Sequence, residues 1–161
     1  MQPLPHQYQA TTIGTAQGNF ATTLNNDCTL EVAAPLNFDG PGDTWTPEEM
    51  LLGAVANCLA LTFRSIAHAA GLSWLEIQCT SEGVLDKVEK KVLFTRISTL
   101  AQLTIAAGED REKAEKLLHK AEQNCFVSNS LSSEKQFTTD VRVSPPSSHP
   151  HLAAPIPHPA P

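Results

Sequence analysis

The chain has 161 residues, enough for one domain with its own core, and with 41% apolar and 17% charged residues it reads as globular and soluble. Net charge is −6 and the pI near 5.4, which argues against nucleic acid as a main partner, because phosphate binding needs a basic face. The sign is uneven along the chain: Arg64 is the first base, and six acids precede it, from Asp27 to Glu48 and Glu49. No cationic segment leads into an apolar run at the N-terminus, so no secretory signal is expected. No apolar run is expected to span a bilayer either, so no membrane partner is expected. These features predict a reducing, cytoplasmic setting. There, four cysteines are expected to be free, catalytic or metal-bound rather than a structural disulfide set.

Residues 7–34 predict two or three strands, since YQATTI and FATTL are rich in β-branched or aromatic residues and are separated by turn material. Residues 35–45 hold Pro35, Gly40, Pro41 and Gly42 and predict a loop. Thr46 then fits an N-cap, with Pro47 at the first helical position and Glu49 placed to close a capping box. The helix so started is expected to run to about residues 68–70 and to stop at Gly71. Residues 73–86 and 91–105 predict two long strands joined near 87–90. Leu75, Ile77 and Cys79 alternate on one face of the first, and Leu93, Ile97, Leu103 and Ile105 can share a face of the second.

A second helix is predicted over 109–124, with Ala114, Leu117, Leu118 and Ala121 as its apolar stripe and Glu109–Lys113 and Glu112–Lys116 as supporting pairs. SNSLSSE, residues 128–134, predicts a short helical turn, and QFTTDVRV a final strand. Residues 144–161 carry seven of the twelve prolines and three of the six histidines, and predict a disordered tail. The domain proper is therefore residues 1–143. The order of elements predicts an α+β fold, an antiparallel sheet covered by a long central helix and a second, shorter one.

The cysteines carry the chemistry. Cys58 lies in the apolar middle of the first helix, where spacing alone favours core filling over catalysis. Cys79 belongs to a strand face and is expected to fill core; Cys28 sits at a turn. Cys125 continues the stripe of the second helix at the point where that helix ends. A helix C-terminus disfavours a thiolate, so Cys125 suits attack on an oxidised partner better than first attack. No CxxC is present, which removes support for a thioredoxin-like motif or a zinc ribbon. His68 and His119 lack ligand spacing, and no metal or organic cofactor is expected. Glu48 reads on its own as a first-turn acid complementing the helix dipole.

TPEEMLLGAVANCLA, followed much later by AEQNCFVSNSL, resembles the OsmC/Ohr family of thiol-dependent hydroperoxide reductases over about residues 7–143. The resemblance implies that Cys58 is the peroxidatic cysteine, Cys125 the resolving one and Glu48 the active-site carboxylate. It also implies an intertwined homodimer, an organic hydroperoxide as substrate and an external dithiol as reductant. The family pattern includes an arginine in the N-terminal half, and this chain has none there. Arg64 and Arg96 are the candidates to replace it. Arg64 lies about 9 Å beyond Cys58 along a helix axis and on another side, and Arg96 reads as a solvent-facing strand residue.

A geometric expectation stands beside the resemblance. Glu48 and Cys58 are about 15 Å apart on one straight helix, so a site using both takes its glutamate from a second subunit. Leu51, Val55, Leu59 and Phe63, near Cys58, point to a greasy alkyl peroxide over hydrogen peroxide. The alternative function, favoured by the absent arginine, is a protein of the same fold that lacks peroxidase activity and binds an apolar or thiol-bearing ligand at the dimer cleft.

Overall fold

A computed structural model describes residues 3–24 and 28–145. Three short strands, β1 (Thr11–Ile13), β2 (Phe20–Thr23) and β3 (Thr29–Val32), form an antiparallel meander. The loop after β3 holds a single 3-10 turn at Leu36–Phe38 and rejoins the sheet where the Ala33 amide donates to the Trp45 carbonyl at 3.0 Å. A long helix, α1 (Pro47–Ala69), follows. Then come β4 (Trp74–Val88) and β5 (Lys91–Ile105), helix α2 (Arg111–Gln123), one helical turn α3 (Phe126–Asn129) and strand β6 (Glu134–Val143). The chain is thus α+β, as its order of elements predicts.

The start of α1 is fixed by the chemistry read from its sequence. The Thr46 hydroxyl accepts from the Glu49 amide at 3.2 Å, and the Glu49 carboxylate accepts from the Thr46 amide at 3.1 Å. Two of the helix's orphan N–H groups are satisfied by this reciprocal pair. Gly71 ends the helix at φ +61°, a left-handed position that a side chain resists, and the Leu72 amide turns back to the Ala67 carbonyl at 3.0 Å. By length and composition alone α1 is long and apolar enough to cross a membrane, with mean hydropathy 1.6 over its best 18 residues. That corrects the sequence expectation. The cause is that apolar residues ring the helix: Val55, Leu59, Phe63 and Ala67 are buried, while Leu61 on another side is 54% exposed.

β4 and β5 pair antiparallel along almost their whole length, and β6 joins β5 in parallel, giving the order β4-β5-β6. α1 and α2 cover one face of this sheet, and the core lies between. It is built from Leu59, Phe63 and Ala67 of α1, Ala101, Leu103 and Ile105 of β5, and Ala114, Leu118 and Ala121 of α2. Phe63 meets Trp74 edge to face at 5.7 Å between ring centroids, a favoured aromatic geometry.

Four sequence expectations are corrected, the first two by register. A shift between Trp74 and Glu76 gives the inward place to Trp74, so Leu75 is 62% exposed while Ile77 and Cys79 keep the helix-facing side. A second shift, between Val84 and Leu85, leaves Thr95 unpaired and reverses the alternation of β5 before Arg96. Phe94 therefore turns towards α1, over Gly83, and Leu93 leaves the face of Ile97. A Cβ at Gly83 would meet the Phe94 ring at 2.6 Å and Leu52 at 2.9 Å, so this close approach needs glycine. Glu109 precedes α2 and accepts from the Ser73 amide at 3.0 Å instead of pairing with Lys113; Asp110 is the N-cap, while Glu112–Lys116 forms at 3.8 Å. The short turn occupies residues 126–129, two residues earlier than expected, because Cys125 rather than a serine starts it. Order reaches Ser144, whose amide donates to the Ile105 carbonyl at 2.9 Å; the predicted tail beyond Pro145 lies outside the described residues.

Candidate active site

Cys58 sits halfway along α1, half-buried, at the edge of the face that packs on the sheet. Cys125 sits in the tight link between α2 and α3 and is only 1% exposed. The α2 stripe delivers it there. Ala114, Leu118 and Ala121 seat the helix on the core, and one turn later Cys125 is carried under α1, its thiol reaching the Val55 carbonyl oxygen at 4.0 Å. The fold thus brings Cys58 and Cys125 into hydrogen-bonding reach of each other.

The two sulfurs titrate in opposite directions. Burial works against a thiolate at Cys58, but four donors outweigh it: the Val127 amide, the Cys125 thiol, the Thr62 hydroxyl and the Phe126 amide. The net result holds Cys58 below the ordinary thiol value of 9.0. Cys125 is pushed up to about 11, first by burial and then by its closeness to Cys58, against lowering from the Ser128 amide. The shared proton therefore stays on Cys125, which donates to the Cys58 thiolate. This arrangement suits a nucleophile and a waiting second thiol.

The donors differ from those expected from the sequence. No cation is among the main groups acting on Cys58 within the described residues, and Arg64 and Arg96 are both exposed. Backbone amides of the turn after Cys125 take the place of a guanidinium within the protomer. Thr62 was legible as a neighbour, since a residue four positions on shares a helix face. The α3 amides were not legible, because their approach depends on how α2 docks. Ser128 is buried within α3 and offers its amide to Cys125.

Glu48 is held in the first turn of α1, far from Cys58 along the helix. Its Oε2 is buried and has no hydrogen-bond partner among the described residues, and neither does Thr44 Oγ1 nearby in the chain. Within one protomer the fold unites Cys58 with Cys125 and leaves Glu48 apart. The apolar residues expected around Cys58 also divide. Val55, Leu59 and Phe63 face the core, and the open side of the thiol is flanked instead by Leu51 and Leu61, which share its helix face. Phe126, whose amide points at the sulfur, leaves its ring 79% exposed.

The chain is similar to known proteins along most of its length. The uncharacterized protein YmaD of Bacillus subtilis (strain 168) is 28% identical over 130 residues, covering 79% of this chain and 87% of its own. An OsmC-like protein of unknown function from Vibrio cholerae superposes with a TM-score of 0.77 at 19% identity, over 85% of this chain and 99% of that one. An organic hydroperoxide resistance protein from Elizabethkingia anophelis gives a TM-score of 0.71 at 21% identity, over 89% of this chain and all of that one, 100%. The family model described as OsmC-like protein matches residues 40–140, the stretch that carries both cysteines, the helix start and the whole β4-β5-β6 sheet except the end of β6. On that match, and on a fold shared with these structures over most of its length, the chain belongs to the OsmC-like protein family.

Proposed function

We propose that the protein is a thiol-dependent peroxidase that reduces organic hydroperoxides. The observation that carries this reading is the sulfur pair: Cys58 held below the ordinary thiol range, with a protonated Cys125 donating to it. The Cys58 thiolate attacks the distal peroxide oxygen. The O–O bond breaks, the alkoxide leaves and takes a proton to become the alcohol, and Cys58 becomes a sulfenic acid. Cys125 then displaces the sulfenic hydroxyl, which departs as water, and an S–S bond forms. An external dithiol in a reducing, cytoplasm-like compartment returns both cysteines to thiols. Leu51, Leu61 and the Phe126 ring give the approach an apolar character that suits an alkyl group. The test is a turnover assay with tert-butyl hydroperoxide and dithiothreitol, joined to peptide mapping after one equivalent of peroxide. A Cys58–Cys125 disulfide is expected; a Cys58–Cys79 link or no link would refute the mechanism.

The working unit in this reading is a homodimer in which Glu48 acts across the interface. A buried carboxylate oxygen without a partner calls for a donor from outside the protomer. α1 also leaves Leu61 uncovered, and the N-terminal meander exposes Ile13 and Phe20, apolar surface that a second copy would bury. Mixing Glu48→Ala with Cys58→Ser protein under subunit exchange is expected to restore activity, since each heterodimer regains one complete site. An exchanged mixture as inactive as its parents would refute the arrangement in trans.

One observation favours a second reading: among the described residues the main groups holding Cys58 are neutral amides, a hydroxyl and a thiol. In that case the same fold binds an apolar or thiol-bearing ligand without reducing peroxide. The turnover assay separates the two, because only the peroxidase consumes dithiol in step with hydroperoxide.

A further inference from the structure

Cys125 also borders a cavity of about 20 Å³. A site for one water needs about 10–15 Å³ and two or more polar partners, and this one meets both conditions. Its floor is apolar, with Val55, Leu59 and Ile97. Its polar wall comes from Cys125, from Glu122 one turn earlier on α2, and from Thr99 and Ser128. Lys135 and Gln136 of β6 stand on its edge. Glu122 is half-buried and makes none of the chain's ion pairs among the described residues.

The Cys125 proton lost in disulfide formation has two possible acceptors, the departing hydroxyl itself or a base bordering this cavity. Cys125 must be a thiolate when it attacks the sulfenic sulfur. Cys125 borders both Cys58 and the cavity that Glu122 lines, so the cavity gives the thiol a second neighbour able to take a proton. We infer that Glu122 accepts the Cys125 proton through one water in this cavity, and so sets the rate of disulfide formation. This rests on the peroxidase reading above. The step balances without any further oxidant. The Cys125 S–H bond breaks and its proton passes by way of water to the Glu122 carboxylate. The Cys125 sulfur forms the S–S bond as the Cys58 S–O bond breaks. The departing hydroxide takes a proton from solvent to become water, and Glu122 releases its own proton to solvent.

The titratable groups that face this sulfur are few. Cys58 lies on α1, Glu122 on α2 and Lys135 on β6. His119, a turn before Glu122, is turned to the Phe137 ring at 5.3 Å between centroids. Lys135 lines the same cavity and is exposed. Thr99 and Ser128 supply hydroxyls that can hold the water but cannot keep a proton. Glu122 is therefore the base the cavity offers.

The experiment separates the two chemical steps in rapid mixing with tert-butyl hydroperoxide, using quench with dimedone to trap Cys58 sulfenic acid and mass spectrometry to count disulfide. Glu122→Gln keeps the shape and removes the base. Its sulfenic acid is expected to form at the parental rate and to resolve at least about tenfold more slowly at neutral pH. Parental resolution should be flat between about pH 6 and 8, because the base is supplied by the protein. In Glu122→Gln it should rise steeply through that interval, as hydroxide replaces the lost base. Glu122→Asp should restore part of the rate and the flat profile. Resolution in Glu122→Gln at the parental rate overturns the inference, and so does a slower rate with an unchanged profile, which marks a merely structural role. A parental protein that yields neither dimedone adduct nor Cys58–Cys125 disulfide overturns the peroxidase reading itself, and this inference with it.

Discussion

Cys58→Ser is expected to remove peroxidase activity, lowering kcat/KM by about 10³-fold or more, because a serine hydroxyl is neither acidic nor soft enough to attack a peroxide oxygen. Cys125→Ser should behave differently. Its hydroxyl still donates to the Cys58 thiolate, so the first attack survives and one equivalent of hydroperoxide is consumed. The cycle then stalls at the sulfenic acid, since no internal thiol remains to displace it. Dimedone should label Cys58 in this variant and not in the parent after resolution. Cys125→Ala adds a second effect, as it removes a donor to the thiolate, and should slow even the first step. Steady turnover by Cys58→Ser, or parental cycling by Cys125→Ser with dithiothreitol, would remove these roles. The fold is not at issue in either substitution: Cys58 is half-buried, and a hydroxyl at 125 keeps the volume close to that of the thiol.

The second large effect is a separation of the two cysteines in pH. Alkylation by iodoacetamide, followed peptide by peptide, should level off at Cys58 below the ordinary value of 9.0, whereas Cys125 should stay unreactive until the pH approaches about 11. Thr62→Val deletes one hydroxyl donor at nearly constant shape, and should move the Cys58 plateau upward by up to about one unit. Arg64→Met and Arg96→Met should leave it in place, because both side chains are exposed and the donors are neutral amides and hydroxyls. A plateau that moves with either arginine would show that a cation from a partner subunit holds the thiolate. No plateau below about pH 8 would favour the non-peroxidase reading.

The same shifts fix how stability responds to alkali. Cys58, lowered on folding, contributes stability above the unfolded value of 9.0, and that contribution is lost as pH falls through its folded value. Cys125 and Cys79, each raised to about 11, contribute below 9.0 and lose that contribution as pH rises towards 11. Two groups against one predict a net loss of stability between pH 9.0 and about 11 in the reduced protein. Oxidation to the Cys58–Cys125 disulfide removes two of the three groups and should reduce this pH dependence.

The sequence by itself determined the local structure. Thr46, Pro47 and Glu49 specify the start of α1, and Gly71 specifies its end, because capping and left-handed backbone are settled among residues three to five apart. The paired long strands and the second helix follow from alternation and from the Ala114–Leu118–Ala121 stripe for the same reason. The pattern of cysteines and acids, read as a resemblance, also pointed to the family. Tertiary structure alone decided what no short window contains. One-residue shifts in pairing moved Leu75 and Leu93 off the faces that alternation assigned them, since register is set by the neighbouring strand. β6 joins β5 in parallel, which follows from the path back across α3 and not from QFTTDVRV itself. The stabilisation of Cys58 is the clearest case. Sequence directed attention to a missing arginine, and the fold supplied amides from a turn held against α1 by contacts such as that between Val55 and Cys125, 70 residues apart. A buried thiol's protonation depends on every dipole within a few ångströms, and those neighbours are chosen by packing.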